Sequence, residues 1–247
     1  MFKKLNLKSN LLKPDAVLLD TDNTLYDYEP AHRRAINATS EKLKTLLTIS
    51  KKDFINLYNL ARSQIKLELG NVASSHSRLL YFQRLLEIYG LKADLLTALD
   101  LEQTYWRTFL ANAPLFKGVE VFLKLLTKKE IPIAIITDLT AHIQLRKLTY
   151  FNLENTFDAV VTSEEAGADK PDFRNFELVL KKLSITKSEN IWMIGDNPQT
   201  DIRGGKLINA ITFQKIHNKV KVGKDKDMPD FIFDSFEELN KILKLYP

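Results

Sequence analysis

Two aspartates stand two positions apart directly after a short apolar run, and their types and spacing could do chemistry. The run is residues 16–19, which reads as a buried strand, and the segment Asp20-Thr21-Asp22-Asn23-Thr24 follows it. Two carboxylates held so close raise each other's proton affinity unless a positive charge lies between them. Such a pair is typical of metal binding and of acid–base or nucleophilic chemistry. The alternative is an acidic turn whose Asp and Asn side chains cap a helix.

Three further segments repeat this pattern of polar side chains at the end of an apolar run. They are residues 131–138, which end in Thr137 and Asp138; Lys170-Pro171, which follow the strand-like run 157–162; and residues 191–201, which contain Asp196 and Asp201. In an open parallel sheet, ligands bind beyond the carboxyl ends of the strands. The pattern therefore predicts that Asp20, Thr137 and Asp196 converge at one edge of a sheet.

The four segments together resemble the motifs of the haloacid dehalogenase superfamily of phosphohydrolases. In order, the motifs are Asp20-Thr21-Asp22-Asn23-Thr24, then Thr137, then Lys170-Pro171, then Gly195-Asp196 with Asp201. The resemblance covers nearly the whole chain, and it implies the phosphatase branch of the superfamily with a helical cap of the first class.

These residues also make chemical sense as a catalyst of phosphate monoester hydrolysis, a reaction that is extremely slow in water. Asp20 can attack phosphorus and divide the reaction into two steps through an aspartyl-phosphate. Asp22 can protonate the leaving alcohol and then deprotonate the attacking water. The hydroxyl of Thr137 can hold the phosphoryl oxygens, and Lys170 can balance negative charge. We therefore predict catalytic roles for all four.

Charge counting predicts a divalent cation as the cofactor. Five aspartates, at positions 20, 22, 138, 196 and 201, sum to −5 if ionised, and Lys170 returns +1. A dianionic phosphate would be repelled by such a site, and the all-oxygen ligand set favours Mg²⁺ over Zn²⁺. The resemblance implies that Asp20, the backbone carbonyl of Asp22 and Asp196 bind the metal directly. It also implies that Asp201 completes the metal site from behind or orients Lys170.

Asp138 departs from the motif of the superfamily, in which many relatives have Asn after the second-motif Thr or Ser. Its carboxylate adds negative charge near the expected phosphate, whereas its backbone N–H can still donate. We predict that Thr137, Asp138 and Lys170 bind the substrate phosphate, and that Asp138→Asn leaves the activity within about tenfold.

The stretch from residue 28 to residue 111 reads as helices alone. Ser50 is a predicted N-cap and Gly70 a predicted helix end, and Pro114 breaks the pattern before the chain returns to strands. A helical insert after the nucleophile strand suits a lid that excludes water and contacts the substrate. Within it, Arg78, next to His76, is the predicted contact for an anionic substrate.

The remainder alternates strands and helices, which predicts an α/β fold with a doubly wound parallel sheet. The expected strands lie near residues 16–20, 131–137, 158–162, 190–195, 210–214 and 231–233. We thus expect a Rossmann-like catalytic core of residues 1–27 and 112–247, with an inserted α-helical cap domain of residues 28–111.

Composition indicates an ordinary globular protein of 247 residues, 45% hydrophobic and 27% charged. The absence of cysteine excludes disulfides and thiol catalysis, and we find no signal peptide or membrane-span pattern, so we expect a cytoplasmic protein. Net charge is +5, with a mild lysine cluster at 215–224 that we interpret as a solvated loop. Neither nucleic acid nor membrane is an expected partner, and the sequence indicates no oligomeric state.

The leading hypothesis is a Mg²⁺-dependent phosphomonoesterase that acts on a small phosphorylated metabolite, either a nucleoside monophosphate or a sugar phosphate. The alternatives are a phosphotransferase or phosphomutase on the same scaffold and a noncatalytic binding protein that retains the fold. A carbon–halogen hydrolase is less favoured, because a halide leaving group does not need the proton of Asp22.

Overall fold

The computed structural model describes residues 1–186, 190–217 and 220–246, and it divides into two compact units. One unit comprises Met1–Asp27 and Leu115–Pro247, and the other is Tyr28–Pro114. The helical unit thus extends three residues beyond the expected boundary at 111, because the backbone keeps turning there: the N–H of Ala113 donates to the carbonyl of Leu110. The division into a catalytic core and a cap stays a prediction.

In the described part of the chain, seven strands form one sheet. They are β1 Phe2–Lys4, β2 Ala16–Leu19, β3 Ile133–Thr137, β4 Ala159–Thr162, β5 Ile191–Gly195, β6 Ile211–Lys215 and β7 Phe231–Phe233. Their order across the sheet is β1-β7-β6-β5-β2-β3-β4. Neighbours from β4 to β7 pair in parallel, whereas β1 pairs antiparallel with β7.

The central strands are apolar along their whole length because helices cover both faces of a parallel sheet. Every residue of β2, β3 and β5 is buried. In the register, Leu19 of β2 lies beside Ile135 of β3 and Ile194 of β5. The three strands that carry Asp20, Thr137 and Asp196 are therefore adjacent and end at the same edge.

The second unit consists of α1 Tyr28–Leu46, α2 Lys51–Leu69, a 3₁₀ turn Ala73–His76, α3 Arg78–Ile88 and α4 Leu95–Leu110. The expected caps are present: the Ser50 side chain accepts from the N–H of Asp53, and Gly70 ends α2 with a φ of 68°. Aromatic residues fill the interior, among them Phe54, Phe82 and Trp106.

The remaining helices belong to the sheet unit. They are α5 Val119–Lys128, α6 Ala141–Tyr150, α7 Ser163–Ala166, α8 Phe173–Lys182, α9 Arg203–Leu207 and α10 Phe236–Leu243, with a π-helical turn Pro198–Ile202 before α9 and a 3₁₀ turn Asp225–Asp227. Helix α8 packs on the sheet through Phe176 and Val179. No helix in the described ranges is long and apolar enough to cross a membrane.

The predicted α/β class and doubly wound parallel sheet are confirmed, with two corrections. The edge strand β1 was not predicted, because a three-residue segment with two lysines lacks an apolar run. Lys215 is not in a solvated loop: it ends β6, is 2% exposed, and places its ammonium over the ring of Phe116 at 4.4 Å. Asn218 and Lys219 of the same lysine cluster lie outside the described residues.

Candidate active site

The end of β2 and the loop that follows it orient Asp20 through one backbone contact and one side-chain contact. The backbone N–H of Asp20 still belongs to the sheet, donating to the carbonyl of Ile194 at 3.0 Å. The hydroxyl of Thr24 donates to Oδ2 at 3.0 Å. Asn23 takes a left-handed φ of 63°, a conformation that Asn tolerates, and thereby turns the chain back. Asp20 is consequently buried with a defined orientation.

Lys170 bridges two of the predicted carboxylates. Its Nζ lies 2.7 Å from Oδ1 of Asp20 and 2.6 Å from Oδ1 of Asp201. Its side chain is 2% exposed, and burial alone would lower the pKa of Lys170. Asp20 and Asp201 outweigh that effect and raise the pKa well above its ordinary value. Lys170 is therefore a fixed positive charge beside Asp20.

Asp201 reaches this position from the π-helical turn that follows β5. Its Oδ2 accepts from the backbone N–H of Asn197 at 3.0 Å, leaving Oδ1 for Lys170. Gly195 makes the approach possible, since a Cβ at that position would lie 2.3 Å from Oδ2 of Asp201. The glycine of the fourth motif thus serves the packing of its distal aspartate.

Three carboxylates form a cluster that fits a hard divalent cation. One oxygen from each of Asp20, Asp196 and Asp201 lies within 4.8 Å of the others. Burial, together with the neighbouring carboxylates, raises the pKa of Asp196 to about 8. Burial also raises the pKa of Asp20 to about 7, although Lys170 opposes the shift. When ionised, the three carboxylates carry more negative charge than Lys170 balances, which suits Mg²⁺ and its preference for oxygen ligands.

Thr137 ends β3, and its hydroxyl is held on two sides. It lies 2.8 Å from the hydroxyl of Thr21 and accepts from Nε2 of Gln144 at 2.9 Å. Gln144, which belongs to α6, also donates to the backbone carbonyl of Asp138 at 2.6 Å. The second-motif strand end is therefore fixed by a buried helix residue that the sequence analysis did not identify.

Asp138 supports Lys170 through the backbone. Its Oδ1 accepts from the backbone N–H of Lys170 at 2.9 Å. Burial raises the pKa of Asp138, and the charge of Lys170 opposes that rise. This hydrogen bond is a structural role for the Asp138 side chain that could not be predicted from the sequence. Its predicted contact with substrate phosphate stays a prediction.

The Asp22 side chain contacts helix α6. Lys147 donates to both of its oxygens, at 2.8 Å and 3.1 Å, and the hydroxyl of Tyr26 donates to Oδ1. Within the described residues, the Asp22 side chain is not part of the group of metal-competent oxygens. Lys147 and Tyr26 were not predicted from the sequence; the available signal was that Lys147 lies three positions after Gln144 and therefore on the same face of a helix.

Arg78 lies in the helical unit and is surrounded by aromatic side chains. Its guanidinium is 5.6 Å from the ring of Tyr81 and 5.4 Å from that of Tyr105. It donates to the hydroxyl of Tyr28 and, at 2.5 Å, to the carbonyl of His76. These partners are neutral, and among the described residues Nε has no hydrogen-bond partner. The predicted substrate contact of Arg78 stays a prediction.

A family model for haloacid dehalogenase-like hydrolases matches residues 14–209, which include all four motifs. The chain belongs to this family. The expected superfamily and the expected enzyme class, a phosphoric monoester hydrolase, are both confirmed.

Similar proteins place this haloacid dehalogenase-like hydrolase among phosphatases. It is 36% identical to the ribulose-1,5-bisphosphate 5-phosphatase of Halopiger xanaduensis, over 80% of this chain and 82% of that protein. It is 29% identical to the glyceraldehyde 3-phosphate phosphatase of Methanopyrus kandleri, over 93% and 97% of the two chains. The fold matches the magnesium-bound HAD-hydrolase YfnB from Bacillus subtilis with a TM-score of 0.70 and 24% identity, over 94% and 100%.

Proposed function

We propose that this hydrolase removes the phosphate from a small phosphorylated sugar through an aspartyl-phosphate on Asp20. The observation that best supports this proposal is the position of Lys170. Its ammonium lies between Asp20 and Asp201 and fixes one oxygen of Asp20. A sugar phosphate is favoured over a nucleoside monophosphate. The relative at 36% identity is named for a sugar bisphosphate, and those named for pyrimidine 5'-nucleotides are 25% identical. As part of the same proposal, the protein acts on a small metabolite and is located in the cytoplasm.

In the first step, a carboxylate oxygen of Asp20 attacks phosphorus as the bond to the leaving oxygen breaks. Lys170 and Thr24 each hold one Asp20 oxygen, which limits the orientations of the carboxylate before attack. The hydroxyl of Thr137 donates to a phosphoryl oxygen, while Lys170 stabilises negative charge on the transferring group.

Asp22 is the proposed general acid and base. It gives its proton to the leaving sugar oxygen in the first step. In the second step it accepts a proton from the water that attacks phosphorus, and Asp20 is released from the phosphoryl group. Proton transfers of this kind contribute about 10²- to 10⁴-fold to the rate.

Mg²⁺ is the proposed cofactor, bound by side-chain oxygens of Asp20 and Asp196 and by the backbone carbonyl of Asp22. Asp201, whose Oδ1 already accepts from Lys170, supports the site by orienting that lysine. When bound, the cation would neutralise negative charge on the carboxylates and on the phosphate.

Arg78 is the proposed contact for a second anionic group of the substrate. A largely desolvated guanidinium is costly unless an anion compensates it, yet its described hydrogen bonds go to a hydroxyl and a carbonyl. A sugar carrying a second phosphate would supply that anion. Arg78→Met should then raise KM for a sugar bisphosphate about tenfold more than for the matching monophosphate, a difference of about 1.4 kcal/mol. Equal changes for both substrates would contradict the role.

The experiment is phosphate release from a panel of sugar phosphates, sugar bisphosphates and nucleoside monophosphates, with Mg²⁺ and with EDTA. We expect metal-dependent release, greatest with the sugar esters, and loss of release in Asp20→Asn. Thin-layer or mass analysis of the products separates hydrolysis from transfer to a second sugar. Full release by Asp20→Asn, or release that EDTA leaves unchanged, would overturn the proposal.

A further inference from the structure

Lys147 of α6 is a buried lysine whose ammonium is directed at Asp22. Its side chain is 1% exposed, and lysine is almost never buried to that extent unless it is paired. The Nζ atom lies 2.8 Å and 3.1 Å from the two oxygens of Asp22, so both carboxylate oxygens are engaged. The cost of burying this ammonium is therefore offset by its ion pair with Asp22, the proposed general acid and base.

Tyr26 completes the arrangement around Asp22. Its hydroxyl donates to Oδ1, and its ring lies 5.8 Å from Nζ of Lys147 and packs against Phe151 at 5.0 Å. Tyr26 is fully buried, whereas the Asp22 side chain remains 33% exposed. Lys147 and Tyr26, here called the Asp22 clamp, fix one side of the carboxylate and leave another side accessible.

Helix α6 connects this clamp to the second motif. Gln144 and Lys147 are three residues apart and thus lie on the same helix face. Gln144 donates to the hydroxyl of Thr137, and Lys147 donates to Asp22. One face of α6 consequently contacts both Thr137, the predicted phosphate ligand, and Asp22, the predicted proton donor.

We propose that Lys147 is a positioning residue for general acid–base catalysis, acting through Asp22. This inference rests on the proposed phosphatase function. In the first step, Asp22 transfers its proton to the leaving oxygen as the phosphorus–oxygen bond breaks and the bond from Asp20 forms. In the second, Asp22 takes a proton from water as water bonds to phosphorus and Asp20 departs. The clamp holds the carboxylate where it meets both oxygens.

Substrates with different leaving groups distinguish the loss of a positioned proton donor from a general loss of structure. An alkyl phosphate needs protonation of its leaving oxygen, whereas p-nitrophenyl phosphate departs as a stable anion and needs little. Lys147→Met should lower kcat/KM for the best sugar phosphate of the panel by about 10²-fold, within the range of general acid catalysis. The same variant should lower kcat/KM for p-nitrophenyl phosphate less than about threefold, because kcat/KM reports the first step, whereas water attack with Asp22 as base is common to both esters.

Comparison with Asp22→Asn shows whether Lys147 acts through Asp22. That variant should show the same selective loss, and adding Lys147→Met to it should cause no further loss, because coupled residues are non-additive. Lys182→Met is the matched control: this lysine of α8 pairs with Glu165 at 2.7 Å and is partly exposed, so both substrates should keep their rates.

Two results would overturn the positioning role. One is an equal fall in kcat/KM for both substrates in Lys147→Met, and the other is full additivity with Asp22→Asn. If Lys147→Met does not fold, Tyr26→Phe removes one donor without changing side-chain size and should show a weaker selective loss; equal effects on both substrates would overturn it as well. Wild-type protein inactive on both esters would instead overturn the proposed function.

Discussion

At the scale of single residues, the site depends on a chain of buried contacts around Lys170. Asp20 and Asp201 accept from its ammonium, and Asp138 accepts from its backbone N–H. Removing one member of a buried ion pair leaves an uncompensated charge and costs about 3–5 kcal/mol. The effect of each substitution thus depends on whether the replaced side chain supplies charge or only an acceptor.

Asp138→Asn should keep kcat/KM within about tenfold of the wild type, a change of about 1.4 kcal/mol in the barrier. The amide oxygen of Asn can accept the same backbone N–H that Asp138 accepts at 2.9 Å. Steady-state kinetics with the best panel substrate checks this, with Asp138→Leu as the variant that lacks the acceptor and should lose more. A loss far beyond tenfold in Asp138→Asn would show that the negative charge itself is required.

Gly195→Ala should disturb Asp201, because the added Cβ would lie 2.3 Å from its Oδ2. We expect a destabilisation of about 1–3 kcal/mol by overpacking, and a fall in kcat that exceeds the loss of folded protein. Urea unfolding and kinetics below the unfolding transition measure the two effects separately.

Gly118→Ala is the control for that prediction. It places a Cβ 2.8 Å from the backbone of Glu237 at a φ of 91°, so it should destabilise the sheet unit while kcat of the folded protein is kept. Unchanged kcat in Gly195→Ala would contradict the proposed role of this glycine.

At the scale of elements, the sequence predicted most of the framework and fewer of the supporting contacts. Strands buried on both faces, such as β2 and β5, read as apolar runs, and caps such as Ser50 mark helix starts locally. Lys147 and Asp22 are 125 positions apart, so their contact depends on how α6 packs beside the first motif. Edge strand β1 was not predicted because its partner, β7, is distant in sequence and its own three residues show no apolar run.

The helical unit should lose stability on acidification through His32. Burial, together with Arg78 and Arg62, lowers the pKa of His32 to about 3, and its Nδ1 lies 2.6 Å from the hydroxyl of Tyr105. The unfolded chain protonates this imidazole below about pH 6.5, whereas the folded chain does not. The contribution of neutral His32 to the free energy of unfolding is therefore complete above pH 6.5 and is lost as the pH falls toward 3. The loss reaches about 2 kcal/mol at pH 5.

Urea unfolding at pH 7 and pH 5 tests this linkage against His32→Gln. The free energy of unfolding should fall about 2 kcal/mol more in the wild type than in the variant. Contributions from Asp20 and Asp196 are common to both proteins and cancel in the difference. Identical losses in the two proteins would show that His32 does not carry the effect.

At the scale of the whole molecule, the strand order β5-β2-β3 brings three motif-bearing strand ends together. Parallel pairing then places Asp20, Thr137 and Asp196 at one edge, which the sequence could predict from alternation alone. The clustering of these carboxylates follows from this topology, and we therefore expect cation binding and folding stability to be interdependent.

Mg²⁺ should stabilise the folded protein by mass action. At a concentration of 100 times Kd, the free energy of unfolding should rise by about 2.7 kcal/mol. Asp196→Asn removes one carboxylate from the cluster and should abolish most of this gain. Thermal unfolding with increasing Mg²⁺ checks it, and an undiminished shift in the variant would place the cation elsewhere.

The most direct test of the account is whether phosphate becomes attached to Asp20 during turnover. The enzyme is mixed with its best sugar phosphate and Mg²⁺, quenched in acid within the first turnovers, digested and examined by mass spectrometry. We predict one phosphoryl group on the peptide that contains Asp20, which disappears after the substrate is exhausted and is absent in Asp20→Asn. Steady turnover with no phosphorylated peptide, or with phosphate on another residue, would contradict the central role of Asp20.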